Sequence, residues 1–281
     1  MKKTVIFGSG QIGSMLGRLA GPEYQVICYA DNNPRRQGEY LGGIPILSPE
    51  ASLQTKPQCC FIGVLDELRA SQMETQLRTL GFTGEVLRPD SLKAFDTRAG
   101  MMRLFSEQIK ERNIPGDIAE IGVYRGEFAA LINAAFPTRT LHLFDTFTGF
   151  AARDILIEQK SGLSRAQTGD FSDTDQEAVL LRMPCPDTIV FHKGYFPDTF
   201  PPCENTAFAF VSLDVDLYAP TAAALSLFWP RMSQGGCILV HDYNSSQFTG
   251  AGKAVREFCN REKVYPVPVC DLHGSVMLVK Q

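Results

Sequence analysis

The stretch Ala119-Glu120-Ile121-Gly122-Val123-Tyr124-Arg125-Gly126-Glu127-Phe128 decides how this chain folds. It is an apolar strand that breaks at Gly122 and restarts as a helix after Gly126, with a carboxylate, Glu120, close to the break. In an open α/β sheet, ligands bind beyond the carboxyl ends of the strands. A glycine there lets backbone and ligand come close, and an acid can hold a cationic or hydroxyl-bearing group. The glycine break and Glu120 are therefore read together as one ligand-binding turn. A plain strand-to-helix turn would need only the glycine, so the motif is moderately specific by itself.

Outward from it, Leu141-His142-Leu143-Phe144-Asp145 is a second apolar strand closing on an acid. An acid at that place is the usual grip on a ribose diol, which makes Asp145 the ribose candidate. A third strand closes at Phe191-His192-Lys193-Gly194-Tyr195-Phe196. Gly194 and Phe196 suit the flanks of a purine and equally suit a turn packed by core aromatics.

Two further strands, Val211-Ser212-Leu213-Asp214-Val215-Asp216-Leu217-Tyr218 and Ile238-Leu239-Val240-His241-Asp242-Tyr243, end abruptly in acids. In a parallel sheet those ends meet at one edge of the domain. Carboxylates gathered there beside an imidazole fit an oxygen-rich divalent cation site with Asp214, His241 and Asp242 as ligands. A cation so placed would lower the pKa of a bound hydroxyl and orient it as nucleophile. The competing reading makes Asp216 the cap of a helix beginning near Thr221 and Asp242 the cap of a turn. Two acids converging without a cation would, however, repel.

The spacing predicts a series of strands and helices over residues 117–279: strand 117–123, helix 126–135, strand 140–145, helix 175–182, strands 188–192 and 207–214, helix 220–232, strand 237–241, helix 252–261, and a closing pair at 264–269 and 275–279. Seven strands in this order suit a doubly wound sheet with a terminal hairpin. A helix over 98–112 connects this series to an earlier one, and the polar stretch 147–172 is expected to be a long binding loop or surface insertion. The expected division is a small parallel-sheet domain at 1–92, a connecting helix at 93–115 and a larger domain at 116–281.

Composition narrows the class of partner. The chain has 281 residues, 44% hydrophobic and 21% charged, with a formal net charge of -4. That balance supports two packed cores and gives no basic footprint for nucleic acid or anionic lipid. No apolar run approaches the ~20 residues that span a bilayer, and the amino terminus enters a strand at once, so a cytoplasmic location with neither membrane nor nucleic-acid partner is expected. The eight cysteines show no CxxC pair and sit mostly in apolar runs, which reads as reduced and structural.

Near the amino terminus, Gly8-Ser9-Gly10-Gln11-Ile12-Gly13 follows a strand and opens a helix, and Asp31 ends the next strand. Gly8, Gly10, Gly13 and Asp31 could seat a pyrophosphate on the helix terminus and a ribose hydroxyl on the acid. The second half of a dinucleotide fold is missing, so a nucleotide, a nucleotide-sugar and an empty retained fold all stay open.

With Pro115 to Gly126, Asp145-Thr146-Phe147-Thr148-Gly149-Phe150 and Asp214-Val215-Asp216-Leu217-Tyr218, the chain resembles the macrocin O-methyltransferase family from about Arg98 to its end. The resemblance implies a Rossmann-like, class I S-adenosylmethionine-dependent domain acting on sugar hydroxyls, with Mg²⁺ held by strand-end aspartates. Carried over by position, Glu120, Gly122, Tyr124, Arg125 and Gly126 would line the methionine end of the cofactor and Asp145 its ribose, with Asp214 and Asp242 on the metal and Asp214 the catalytic residue, as general base. Family members commonly show Asp-Asp-Tyr where this chain has His241-Asp242-Tyr243, which leaves the third ligand and the metal's identity open. The first ninety residues, with Asp31-Asn32-Asn33-Pro34 and Leu41-Gly42-Gly43-Ile44-Pro45-Ile46, are similar to small Rossmann-like domains fronting sugar-tailoring enzymes.

The expected function is metal-assisted O-methylation of a sugar-linked or polyol small molecule, and a homo-oligomer is compatible with it. One rival is a nicotinamide-dependent oxidoreductase led by the first glycine motif, although no Tyr-Lys or His-acid pair near Gly10 could move its proton. The other is a non-catalytic cofactor-binding module.

Overall fold

The run Thr4-Val5-Ile6-Phe7 is buried throughout, as a central strand of a parallel sheet must be. In the computed structural model, which describes residues 1–89, 96–272 and 274–281, that run lies in β1 (Lys2–Phe7). It is followed by α1 (Gln11–Leu19), β2 (Tyr24–Ala30), β3 (Tyr40–Leu41), β4 (Ile44–Leu47), α2 (Pro49–Gln54), β5 (Cys59–Ile62), α3 (Glu67–Thr79) and β6 (Glu85–Leu87). The sheet order is β3-β4-β2-β1-β5-β6. Only the β3–β4 pair is antiparallel, and it turns on Gly42 and Gly43, both at positive φ, as a two-residue hairpin requires.

The chain divides into two compact units, Met1–Asp96 with Cys270–Leu272 and Thr97–Val269 with His273–Gln281. The expected boundary between residues 92 and 93 lies outside the described residues. The expected connecting helix is corrected: α4 (Thr97–Glu111) belongs to the second unit. Its buried stripe of Arg98, Ala99, Met102, Ser106 and Ile109 recurs at helical spacing, which gives it one face to pack.

The second unit continues with β7 (Asp117–Ile121), α5 (Glu127–Ala135), β8 (Leu141–Asp145), α6 (Ala152–Ser161), α7 (Gln176–Arg182), β9 (Ile189–Lys193), β10 (Phe208–Leu213), α8 (Tyr218–Phe228), β11 (Met232–Val240), α9 (Thr249–Glu262), β12 (Val267–Pro268) and β13 (Val276–Val279). Its sheet order is β12-β13-β11-β10-β7-β8-β9. Strands β7 to β11 run parallel, and β13 and β12 close the edge as an antiparallel pair. This is the seven-stranded, doubly wound sheet with a terminal hairpin that the spacing predicts.

One face packs Ala119, Ile121, Phe144 and Leu213 against Phe228 of α8 and Phe258 of α9. The other packs Ile118, Leu143 and Phe210 against Met102 of α4 and Ile132 of α5. Strand order reverses between β7 and β10, and a crevice opens at the carboxyl ends of strands that diverge in this way.

The polar stretch 147–172, expected to be a loop, contains α6. Its pattern is masked because acids share the buried face: Asp154 and Glu158 face inward with Ile155, while Leu156 and Ile157 are exposed.

Candidate active site

Gly122 sits at φ +81, and a Cβ there would lie 2.0 Å from the Asp214 carbonyl oxygen. The glycine therefore lets the ends of β7 and β10 touch backbone to backbone. Beyond it, Tyr124, Phe147, Asp216 and Asp242 all take positive φ without being glycine. Such conformations cost energy and concentrate where a site holds its backbone in a set shape. Gly126 is also fixed by packing, since a Cβ would come within 2.9 Å of Val179.

Glu120 is almost fully buried. Its Oε1 accepts from Ser212 Oγ at 3.3 Å, and its Oε2 has no hydrogen-bond partner among the described residues. Burial pushes its carboxyl up to about 8, opposed by Arg98 and reinforced by Asp214. A buried, unpartnered carboxyl oxygen fits a cofactor's ammonium group.

Asp145 has a different first duty from the expected one. Its Oδ2 accepts from the Val123 amide at 2.7 Å and the Tyr124 amide at 2.9 Å, and its Oδ1 accepts from the Phe147 amide at 2.8 Å. A carboxylate offers about four acceptor positions, so little more than one remains for a ribose hydroxyl. Tyr124 and Arg125 likewise spend their side chains on a latch: Tyr124 Oη donates to Asp173 Oδ1 at 2.8 Å, and Arg125 pairs with the same carboxylate. The segment carrying Asp173 is also held by Thr174 Oγ1, which donates to the Tyr124 carbonyl. The turn thus offers backbone to a ligand and side chains to the loop above it.

For Phe196 the sequence leaves a purine flank and a turn packed by core aromatics both open. Its ring is buried and packs on Phe144, Phe200 and Phe228, so the core occupies its faces. Gly194, at φ +140, donates its amide to the Asp145 carbonyl at 2.9 Å and keeps only backbone for a ligand.

At the ends of β10 and β11 the acids do converge. His241 Nδ1 lies 2.9 Å from Asp214 Oδ1 and 2.7 Å from Asp242 Oδ2. These three atoms lie close enough together to hold one ion. Burial alone would raise the Asp214 carboxyl, but His241 and Arg98 hold it well below the carboxylate range. Burial disfavours a charged His241, yet Asp214 and Asp242 push it up to about 10. Asp216 is raised well above its ordinary value by burial and then by Asp214 and Asp242.

The Nδ1 proton shared by two carboxylates marks where a divalent cation would sit, and the donor set of two carboxylate oxygens and an imidazole fits one. The capping alternative for Asp216 is not what the structure shows. No side chain of Leu217 caps α8, and the first amide of the helix, Tyr218 N, is accepted by Glu158 Oε1 of α6 at 2.8 Å.

Arg98 was missed from sequence. Its Nη1 donates to Asp214 Oδ2 at 2.8 Å and its Nη2 to Ser212 Oγ at 3.1 Å, while the guanidinium carbon sits 3.8 Å from the centroid of the Phe128 ring. An arginine on the buried stripe of a helix was the available signal, because a buried charge must be paired.

In the first unit, a Cβ on Gly13 would meet the Gly8 carbonyl oxygen at 1.8 Å, whereas one on Gly10 would meet nothing within 4 Å. Asp31 accepts from the amide and hydroxyl of Ser9 and from the Asn33 amide. It braces the glycine loop, and a ribose would have to compete for it.

Residues 93–277 match the family profile of macrocin O-methyltransferase (TylF). The chain is 27% identical over 198 residues to the 8-demethyl-8-(2,3-dimethoxy-alpha-L-rhamnosyl)-tetracenomycin-C 4'-O-methyltransferase of Streptomyces olivaceus, spanning 64% of this chain and 73% of that one. It is 28% identical over 185 residues to the mycinamicin III 3''-O-methyltransferase of Micromonospora griseorubida, spanning 60% and 72%. In fold it is similar to the O-methyltransferase NovP, with a TM-score of 0.54 and 24% identity over 66% of this chain and 80% of that one. No helix among the described residues is long and apolar enough to cross a membrane.

Proposed function

The chain belongs to the macrocin O-methyltransferase family, and from that premise we propose that it transfers a methyl group from S-adenosylmethionine to a hydroxyl of a sugar-linked small molecule, assisted by a divalent cation. The observation that carries the reading is the meeting of Glu120, Asp214, His241 and Asp242 at the strand ends where β7 and β10 diverge. The named relatives support a glycosyl acceptor, since their own substrates are rhamnosyl-tetracenomycin and mycinamicin compounds.

Asp214, His241 and Asp242 would hold the cation, which when bound acidifies and orients a coordinated hydroxyl. Glu120 would receive the cofactor's ammonium on its unpartnered Oε2. The backbone of 122–126 and Gly194 would line the rest of the cofactor, and the remaining acceptor position of Asp145 would take one ribose hydroxyl. Arg98 keeps Asp214 ionised, so that carboxylate is always available to take the hydroxyl proton as the methyl group passes in line to oxygen. The segment latched by Asp173 covers the turn and would exclude water. For the first unit, the glycine turn at the start of α1 would take the phosphates of a nucleotide or nucleotide-sugar.

The direct test incubates the chain with S-adenosylmethionine, Mg²⁺ and a set of deoxysugar glycosides and looks by mass spectrometry for addition of one methylene. EDTA should abolish turnover while calorimetric binding of the cofactor persists. Full turnover in EDTA would remove the cation from the reading, and absence of cofactor binding would sink the reading whole.

A further inference from the structure

Away from the strand ends, three ligating side chains meet inside the aromatic core of the second unit. His142 of β8, His192 of β9 and Cys203 are all buried. Cys203 lies in a single 3₁₀ turn, Pro201–Cys203, between β9 and β10. His142 Nδ1 lies 2.9 Å from His192 Nε2, and Cys203 Sγ lies 3.5 Å from the first nitrogen and 3.7 Å from the second.

For a tetrahedral ion with bonds of ~2.0–2.1 Å to nitrogen and ~2.3 Å to sulfur, ligand separations are about 3.3 Å for N···N and about 3.5 Å for N···S. The observed triangle departs from this by a few tenths of an ångström. The other nitrogen of His142, Nε2, lies 3.2 Å from Asp117 Oδ2. A carboxylate behind a ligating histidine fixes its tautomer and leaves the opposite lone pair free for metal.

We propose that His142, His192 and Cys203 form a second metal site, for a borderline or soft transition ion of the Zn²⁺ type, with Asp117 orienting His142. A thiolate with two imidazoles selects such ions over Mg²⁺. The site is therefore chemically distinct from the carboxylate-rich one at the strand ends.

Charge balances: the Cys203 thiol releases its proton to solvent on binding. The ion and thiolate together carry one positive charge, which the Asp117 carboxylate offsets. In the metal-free chain, with His142 Nε2–H turned to Asp117, the His192 Nε2–H donates to His142 Nδ1. The ion takes the place of that proton, and His192 carries its hydrogen on Nδ1 instead. Asp117, which meets the His142 ring at the nitrogen opposite the ligating one, is more than a third exposed. The ion would pin Cys203, and with it the β9–β10 connection, to the edge of the sheet.

The test uses the full chain carrying Asp242→Asn, so that the strand-end cluster is weakened as a competitor. It is stripped with chelator and titrated with Co²⁺ while the sulfur-to-metal charge-transfer absorption is followed. One equivalent should develop the band, Cys203→Ser should lose it, and Cys270→Ser, which alters the exposed thiol, should keep it. No sulfur band in the parent, or a band that survives Cys203→Ser, overturns the proposal. Should Cys203→Ser fail to fold by circular dichroism, X-ray absorption of the Zn²⁺-loaded parent decides. One sulfur and two imidazole nitrogens are expected, and a shell without sulfur overturns the site.

Discussion

Arg98 donates to Asp214 at 2.8 Å across 116 residues of sequence, so the helix that precedes the sheet fixes the carboxylate on which the proposed chemistry turns. Arg98→Ala leaves that half-buried acid beside Asp216 and Asp242 with His241 as its remaining partner. Removing one partner of a fully buried pair typically costs about 3–5 kcal/mol, and the partial exposure of Asp214 puts the expected loss below that range. A lower denaturant midpoint together with loss of turnover is expected. Arg98→Lys should restore much of the stability and less of the activity, because one ammonium cannot reach both Asp214 and Ser212 in the same geometry. Wild-type kinetics in Arg98→Ala would remove this residue from the site.

Asp214→Asn keeps the shape of the side chain and removes its charge. Turnover should fall by about 10²–10⁴, the usual contribution of a positioned proton acceptor, while the protein still unfolds cooperatively and binds cofactor. A change of less than threefold would assign the proton to another group.

Glu120 gives a pH dependence of defined sign. Its folded value, about 8, lies above the ordinary 4.5. The unfolded chain therefore releases this proton first, and the stability that the protonated group contributes is present below 4.5 and lost as pH rises through about 8. Between pH 5 and pH 8 the wild type should lose more stability than Glu120→Gln, as read by denaturant titration at the two pH values. An ammonium-bearing cofactor would also drive the proton off. Calorimetry at pH 7 in buffers of different ionisation heat should show close to one proton released by wild type and none by Glu120→Gln.

Glu158 ties α6 to the first amide of α8, and a Cβ on Gly250 would approach its Oε1 to 2.6 Å. Glu158→Ala leaves the Tyr218 amide unpaired, at a cost of about 1–3 kcal/mol, and Gly250→Ala should loosen the same contact by crowding it. Both variants should raise amide exchange across α6, and equal protection in variant and wild type would show that other contacts hold this helix.

In the first unit, Gly13→Ala should destabilise the fold, because its Cβ would overlap the Gly8 carbonyl, whereas Gly10→Ala should be tolerated. If the loop takes a nucleotide, Gly10→Ala weakens binding of that nucleotide without lowering the melting temperature. Unchanged binding would place the ligand elsewhere.

The strand ends were legible because each is a local pattern, an apolar run closing on an acid or a glycine, and their alternation with helices points to a doubly wound sheet with a terminal hairpin. Roles set by distant partners were not. Asp145 looks like a ribose acid until three backbone amides are seen to converge on it, and nothing near Arg98 announces Asp214. Phe196 carries the same letters whether its ring faces ligand or core. Helix α6 was concealed because Asp154 and Glu158 share its buried face with Ile155 while Leu156 and Ile157 are exposed, which blurs the apolar stripe by which surface helices are found. Cys203 reads as a small hydrophobe in sequence, since its histidines lie on two other strands.

The absent side chain at Gly122 also bears on engineering. With only 2.0 Å between the place a Cβ would occupy and the Asp214 carbonyl, the cofactor turn and the proposed catalytic strand end share one joint. A library aimed at new acceptors that varies position 122 would disturb cofactor turn and catalytic acid together.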